Sequence, residues 1–438
     1  MSAKTSNRRD FLKQSAMVAS GTLILPQLIP STALGMGGKL APSDRIVMGA
    51  IGVGGQGSGN LRNFLWSKEI QVVAVCDVDT NHNLNAKAMV DKIMKSDDCR
   101  MYEDYQEFLE KEKLDAVSIA LPDHWHGLIY SAAANKKIDI YGEKPLSRTI
   151  REGQAIVNAV KRNNVVWQTG SWQRSGKMYR RAAELAINGR VGKITRVEVG
   201  LPDGDSRIGT PPVMDVPQGL NWDLWLGPAP KVPYRGVCHG DWRWNLDYSG
   251  GRLTDWAGHH VDIAAWGTGL DRTGPVSIEG HGVYPNEGYY NTPVEFDFTC
   301  TYANGLEMRV ANGGRLRFNT GAAWYGEKGW IHVDRDGGLL HASDPKILEE
   351  VIGENEIHLY KSDNHFWNFL ECVRSRKETV CPVEVAHRSI SIGLLGEIAM
   401  TTGQKIHWDP IKEEIIDNPM AGRLLSRPYR APWTQPIL

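Results

Sequence analysis

The chain has no excess charge of either sign: 50 lysines and arginines stand against 51 aspartates and glutamates, a formal net charge of −1. That balance removes the electrostatic footprint on which nucleic-acid binding or docking to an anionic membrane depends. No Cys-x-x-Cys pair occurs among the six cysteines, Cys76, Cys99, Cys238, Cys300, Cys372 and Cys381, so a zinc ribbon is excluded. Cys76 falls in a run that reads as buried strand, where a thiol packs as a small apolar group. Histidines spaced i, i+4, as a helical metal site needs, are also missing, and no metal is expected. Beyond the first thirty-five residues no stretch approaches the ~20 apolar residues of a membrane span, so that part is expected to be soluble. What is abundant is glycine, 46 residues, and tryptophan, 15. The glycines imply tight turns and close backbone approaches. The indoles exceed what a core needs, and several fall in one polar, Pro/Gly-rich stretch. At 438 residues the chain passes the ~250–300 at which single cores stop growing, so two domains are expected.

Residues 1–35 read as an address rather than as structure. Asn7-Arg8-Arg9-Asp10-Phe11-Leu12-Lys13 precedes an apolar run from Ala16 to Ile29 and small residues from Ser31 to Gly35. Adjacent arginines followed by x-Phe-Leu-Lys resemble the twin-arginine export signal, and the apolar run is too short for a stable anchor. Cleavage is expected after Ala33-Leu34-Gly35, with 36–45 as a linker. The resemblance implies the twin-arginine translocase as partner and a periplasmic or otherwise extracytoplasmic location. That route carries folded proteins, often with a cofactor in place.

Ile46 to Ile51 reads as a short buried strand, followed at once by Gly52-Val53-Gly54-Gly55-Gln56-Gly57 and a helical pattern from Ser58 to Ser67. Gly52, Gly54 and Gly57 fit G-x-G-x-x-G in the strand–turn–helix context that a dinucleotide site requires. The first permits the turn, the second admits the pyrophosphate, and the third packs helix on strand, leaving a helix N-terminus toward the phosphates. Val72 to Cys76 makes the next strand and ends at Asp77, twenty residues after Gly57. A carboxylate there accepts the ribose hydroxyls and repels a 2′-phosphate, which selects NAD over NADP. Asp79 could share that role. A further strand, Leu114 to Leu121, ends in Pro122-Asp123-His124-Trp125-His126, and Asp139-Ile140-Tyr141 leads into Gly142-Glu143-Lys144-Pro145. Ligands of such sheets bind outside the carboxyl ends of the strands. The expected cofactor-binding set is therefore Gly52, Gly54, Gly55, Gln56, Gly57, Asp77, Pro122, His124, Trp125, His126, Glu143 and Lys144.

These segments, together with Gly250-Gly251-Arg252-Leu253-Thr254-Asp255-Trp256-Ala257-Gly258-His259-His260-Val261-Asp262 and Trp266, resemble the Gfo/Idh/MocA family. That family groups glucose–fructose oxidoreductase with inositol dehydrogenase and related sugar dehydrogenases, and the match runs from about residue 45 to 400. The family's Glu-Lys-Pro lysine falls on Lys144, and its Asp-x-x-x-His pair falls on Asp255 and His259. The resemblance implies that lysine and histidine share the proton task. His259 is assigned as general base, Lys144 as the group that holds the reacting hydroxyl, and Asp255 as the orienting group for substrate or imidazole. The reverse assignment, with Lys144 as base, stays open. Asp255 and His259, four apart on a helix, are expected to share a face. His260 points about 100° away, toward substrate or an interface.

The expected fold is α/β: a Rossmann NAD-binding domain over 46–165, then an α+β domain over 166–404 for substrate and oligomerisation. Strand-like alternation runs through 195–199, 276–283, 295–302, 306–312 and 330–333, with a hairpin signal at Asn304-Gly305. The resemblance implies an open, largely antiparallel sheet, one face of which forms a homo-oligomer interface. Helices are expected over 365–374 and 384–401, and an extended arm over 405–438. Between Leu201 and Ser249, Trp222, Trp225, Trp242 and Trp244 accompany Arg235, His239, Asp241 and Arg243. Loops this long are usually functional. Indole faces cover the apolar side of a sugar ring while Arg and Asp fork onto hydroxyls, although two of the four indoles are expected to pack the loop instead. Substrate candidates are Trp172, Arg174, Trp242, Arg243 and His260. The resulting expectation is an exported oxidoreductase that oxidises a sugar or glycoside hydroxyl with tightly bound NAD, reoxidised in place by a second substrate. Two other readings stand beside it: a redox-neutral, NAD-dependent glycoside hydrolase, and a sugar-binding protein without chemistry.

Overall fold

The computed structural model describes residues 44–204, 209–236, 240–335 and 339–437. The segment expected to be a twin-arginine signal, Cys238 and His239 lie outside the described residues. Two sheets organise the chain. The first has six strands: β1 Ile46–Ile51, β2 Ile70–Cys76, β3 Arg100–Tyr102, β4 Ala116–Ile119, β5 Asp139–Gly142 and β6 Trp167–Thr169. All its pairings are parallel and its spatial order is β3-β2-β1-β4-β5-β6. β4, β5 and β6 are buried throughout and β1 and β2 nearly so, as a sheet flanked by helices requires, while β3 lies exposed at the edge. Strand order reverses between β1 and β4, and the crevice there is where such sheets bind ligands. One flanking helix, Ile150–Asn163, starts at a capping box in which Thr149 and Glu152 satisfy each other's backbone.

The second sheet has nine strands. It comprises β7 Ile194–Gly200, β8 Ser277–Val283, β9 Glu295–Thr301, β10 Glu307–Ala311, β11 Gly321–Gly326, β12 Gly329–Val333, β13 Leu340–Ala342, β14 Ile406–Asp409 and β15 Glu414–Ile416. Their order is β13-β12-β11-β7-β10-β9-β8-β14-β15, antiparallel except for the β7/β10 pair. The expected hairpin at Asn304-Gly305 joins β9 to β10, with Gly305 at φ +83° where L-residues are strained. Helix Val383–Thr402 crosses the inner face so closely that a Cβ on Gly396 would come within 2.5 Å of the Phe298 ring. The same helix meets the segment that carries Asp255 and His259, since a Cβ on Gly393 would lie 3.1 Å from the Ala257 methyl. Sheet, helix and site segment therefore share one core.

The expectation of an extended arm over 405–438 is corrected. Residues 406–409 and 414–416 are strands of the second sheet, and Pro419–Gly422 and Arg423–Leu425 are helical turns. Residues 427–437 carry neither helix nor strand, and Arg427, Tyr429, Arg430 and Trp433 pin them to the rest of the chain. Among the described residues no helix is long and apolar enough to cross a membrane.

Candidate functional site

The cleft at the carboxyl ends of β1, β2, β4 and β5 holds about 460 Å³. Its floor is the glycine turn. Gly52 sits at φ +74°, and a Cβ there would fall 2.2 Å from the Ala120 carbonyl oxygen; a Cβ on Gly57 would fall 1.8 Å from the Gly52 carbonyl oxygen. Gly52 is fixed by its positive φ and by the backbone at the end of β4, and Gly57 by the packing of helix Gly55–Leu65 on the end of β1. Gly54 differs, because a Cβ there would meet only the His82 ring, at 3.3 Å. The space that Gly54 leaves opens into the cleft. The helix has no side-chain cap and no acidic residue in its first turn, so its first N–H groups face the cleft as a site for an anion. The carboxylate of Asp77 lines the same cleft, taking the Val53 N–H at 2.8 Å and the Asp79 N–H at 2.9 Å. Asp79 is occupied otherwise: its side chain caps helix Thr80–Met94 through the N–H groups of Asn81 and His82. The glycine cradle, the open helix end and the acidic strand end together fit NAD.

His82, for which the sequence pattern held no signal, stands in this cleft. Its Nδ1 lies 3.4 Å from Asp77 Oδ1, and the hydrogen bond to Asp77 raises its pKa despite partial burial. The Trp-rich loop also reaches here. Thr80 N–H donates to the Gly219 carbonyl and Asn221 N–H to the Val78 carbonyl, a short bridge that holds the loop across the end of β2. Trp222 and Trp225 stack at 4.7 Å inside a small core with Tyr234 and Tyr248. Trp225 also lines the cleft, and so do Trp242 and Arg243, with the guanidinium 4.3 Å from the Trp242 centroid.

The Pro122–His126 segment performs two tasks. Pro122 and Trp125 line the cleft, and Trp125 Nε1–H donates to the Trp225 carbonyl at 3.0 Å. The expectation that His124 and His126 touch cofactor is corrected. Both are buried. His124 Nε2 lies 3.0 Å from the Trp225 carbonyl, and His126 spans the Pro145 carbonyl at 2.6 Å and the Leu121 carbonyl at 3.0 Å. They fasten the rim instead. Glu143 lines the cleft as expected and accepts from Asn60 at 2.9 Å and Gln56 at 3.3 Å. Burial raises its carboxyl.

Lys144 donates to Asp255 Oδ1 at 2.6 Å and to the Asp255 carbonyl at 3.3 Å, and Arg243 Nε stands 3.4 Å from the same carboxylate oxygen. Burial alone would raise the Asp255 carboxyl. The adjacent Lys144 and Arg243 cations outweigh burial and hold it below the ordinary carboxylate range. The helix Gly251–Trp256 passes into a π turn, Ala257–Val261, a distortion frequent at functional sites. It brings Gly258 against the lysine, since a Cβ there would lie 3.2 Å from Lys144 Cβ. His259 follows, 4% exposed, and its Nδ1 has no partner among the described residues. Burial, then the Lys144 charge, press its pKa well below the ordinary value, so the imidazole is neutral. Among the described residues Asp255 hydrogen-bonds Lys144 and Arg243 rather than His259, so it orients the lysine and not the imidazole. The neighbours of His259 are two indoles, Trp256 at 5.8 Å and Trp172 at 6.5 Å between ring centroids.

The remaining substrate candidates divide. Trp172 is 41% exposed beside His259. His260 is buried and stacks on Trp256 at 5.2 Å. Arg174 is corrected from substrate ligand to core strut: it is buried, bonded to both oxygens of Asp262 at 2.7 and 2.9 Å, and to Asp271 at 3.0 Å. Two residues that the sequence reading passed over, Trp256 and Arg335, join the group, with the Arg335 guanidinium 4.9 Å from the Trp256 centroid. Trp256 lay inside the quoted motif; Arg335 had no local signal.

Comparison with known proteins agrees with this geometry. Residues 46–171 match the oxidoreductase family model of an NAD-binding Rossmann fold, and residues 207–435 match that family's C-terminal alpha/beta domain. The scyllo-inositol 2-dehydrogenase (NAD(+)) of Bacillus subtilis is 29% identical over 320 residues, 70% of this chain and 81% of that protein. A glycosyl hydrolase family 109 protein of Solibacter usitatus is 29% identical over 164 residues, 35% of this chain and only 36% of its own length. The WlbA dehydrogenase of Bordetella pertussis, solved with NADH and UDP-GlcNAcA, superposes with a TM-score of 0.59 at 16% identity, over 83% of this chain and 99% of that one. With both halves matched and the NAD cradle in place, the chain belongs to the Gfo/Idh/MocA oxidoreductase family.

Proposed function

We propose that the protein oxidises a hydroxyl of a sugar or glycoside, with Lys144, Asp255 and His259 as the reacting group. The observation that carries this is an ammonium held by a buried carboxylate next to a neutral, unpartnered imidazole. Lys144, fixed by Asp255, donates to the substrate oxygen and stabilises the negative charge that grows on it. His259 takes the hydroxyl proton, for which its neutral state is required. NAD, when bound, supplies the acceptor for the hydride that the carbinol carbon gives up as it becomes a carbonyl. Gly54, the open helix end and Asp77 hold the dinucleotide, and Trp125 and Trp242 wall the cleft against water.

The finer reading places the enzyme outside the cytoplasm, exported through the twin-arginine translocase, with NAD as a resident group reoxidised by a second carbonyl substrate. Its supports are the Arg8-Arg9 segment and the bridge of the 219–221 loop across the end of β2. Self-association through the outer face of the second sheet belongs to the same reading. A second function, redox-neutral glycoside hydrolysis, is favoured by the likeness to family 109 proteins. The test uses protein purified without added dinucleotide, sugars and p-nitrophenyl glycosides, with absorbance read at 340 nm. The expected result is a stoichiometric rise with one class of sugar and a return on adding a carbonyl sugar. Many turnovers of nitrophenol without net absorbance at 340 nm would assign the hydrolase. Silence toward every sugar, even with NAD supplied, would leave a binding protein.

A further inference from the structure

Resting on the assignment of this site to a sugar, we infer that Arg335 anchors an anionic substituent, a carboxylate or a phosphate, carried by that sugar. Arg335 follows β12, and its guanidinium lies 5.1 Å from the Trp172 centroid and 4.9 Å from that of Trp256. The same two indoles flank His259, the group assigned to take the proton. One sugar ring seated at Lys144 and His259 therefore has Arg335 at its edge.

Among the described residues, the carboxylates on the segments around this cation are engaged elsewhere. Asp255 belongs to Lys144 and Arg243. Asp334 accepts the Thr320 hydroxyl at 2.5 Å through one oxygen and the backbone N–H of Arg335 through the other. No described carboxylate reaches the Arg335 guanidinium. Aromatic stacking fixes the plane of a guanidinium yet leaves its in-plane N–H fork unused. That fork matches two oxygens of a carboxylate or phosphate, and a lone hydroxyl uses half of it at most. Lysine in the same place would offer a point charge without the stacked plane. The arrangement is a held, half-buried cation awaiting a bidentate anion, and it favours sugar acids or sugar phosphates over neutral sugars.

The test is calorimetric titration of the NAD-loaded protein with glucose, glucuronate and glucose 6-phosphate, and with the galacto counterparts, for wild type, Arg335→Gln and Arg335→Lys. The expected result is at least about tenfold tighter binding of one acid than of its neutral sugar, the carboxylate and phosphate arms telling which. Arg335→Gln should bring that ratio to near one, and Arg335→Lys should restore part of it. Equal binding of acid and neutral sugar, a ratio that survives Arg335→Gln, or no binding of either acid overturns the inference. Absorbance at 340 nm in the same samples separates it from the parent reading. Arg335-dependent binding of an acid without NADH would retain the anion subsite and overturn the oxidation. Oxidation of neutral sugars without preference for acids does the reverse.

Discussion

At the scale of single residues, the site turns on which group is charged. Lys144 and Asp255 form a buried pair, and His259 beside them is kept neutral by burial and by the lysine's charge. A base with a depressed pKa stays unprotonated as the medium is acidified. The kcat/KM profile should therefore stay flat from pH 8 to below pH 6.5 and fall only on the acid side of that value. A rate that climbs steadily above pH 8 would contradict this, because the proton acceptor would then be a group still protonated at neutral pH. The residues whose placement was legible in the sequence were those of local motifs: Gly52, Gly54, Gly57, Asp77, Lys144 and His259; the roles given to them belong to the proposal above. Those misread depend on distant partners. Arg174 met Asp262 and Asp271 across 88 and 97 positions, and His124 and His126 met backbone carbonyls, which no residue pattern records. Arg335 was passed over for the same reason, since its indoles come from two other segments.

At the scale of elements, the chain beyond Ser426 acts as a brace for the cleft wall. Arg427 donates to Glu152 at 2.9 Å, to the His124 carbonyl at 2.8 Å and to the Asp247 carbonyl at 3.1 Å, while Tyr429 donates to the same Glu152 oxygen at 2.6 Å. The other oxygen of Glu152 closes the capping box, so one side chain joins a helix start to the brace. Farther on, Trp433 packs edge-on against Trp125 at 4.9 Å and stacks on Tyr105 at 6.4 Å, and both of those rings line the cleft. Aromatic contacts of this kind are worth ~0.5–1.5 kcal/mol beyond the area they bury. Trp433→Ala should weaken NAD binding by roughly three- to tenfold in a fluorescence titration while the fold persists. An unchanged dissociation constant would show the brace to be unconnected with the cleft. The sequence hid this element because a Pro-rich, non-periodic stretch carries no sign of what it packs against. β13 to β15 were hidden for a related reason, being strands of three or four residues at the ends of the sheet, and β11 because its Gly-Ala-Ala start shows no alternation of polar and apolar residues.

At the scale of the molecule, a parallel Rossmann sheet and a mostly antiparallel second sheet followed from the strand–glycine–helix pattern and the family likeness, whereas the order of their strands is seen only in the structure. Burial adds a property that the sequence did not announce. His124, His259, His260 and His365 are buried with lowered pKa values, to about 3 for His124 and about 4 for His260 and His365. Below about pH 6.5 the unfolded chain takes up protons that these side chains refuse in the fold, so stability falls as pH falls toward 4. Asp123, pushed up to about 7 by burial, and Glu143, also raised, act in the opposite direction. His82, Asp139 and Asp247, raised as well, add to that opposition, while His126 and His332, also lowered by burial, join the histidines, and the balance is a net loss of stability as the medium is acidified from pH 7 to 5. Urea midpoints at pH 7 and pH 5 read this directly, and a midpoint that stays level or rises at pH 5 would contradict it. The outer face of the second sheet is polar, with Arg309 forked onto Asp297 and Tyr325 bonded to Glu198. Association through it would accordingly weaken with salt.

The central claim is that Lys144 and His259 move the proton while a bound NAD takes the hydride. It is tested most directly by stopped-flow absorbance at 340 nm on NAD-loaded wild type, Lys144→Met and His259→Ala, mixed with the sugar that reduces the wild type. Each variant should lose at least about a hundredfold in the rate of NADH formation while retaining its nucleotide. NADH formed by both variants at the wild-type rate would contradict it.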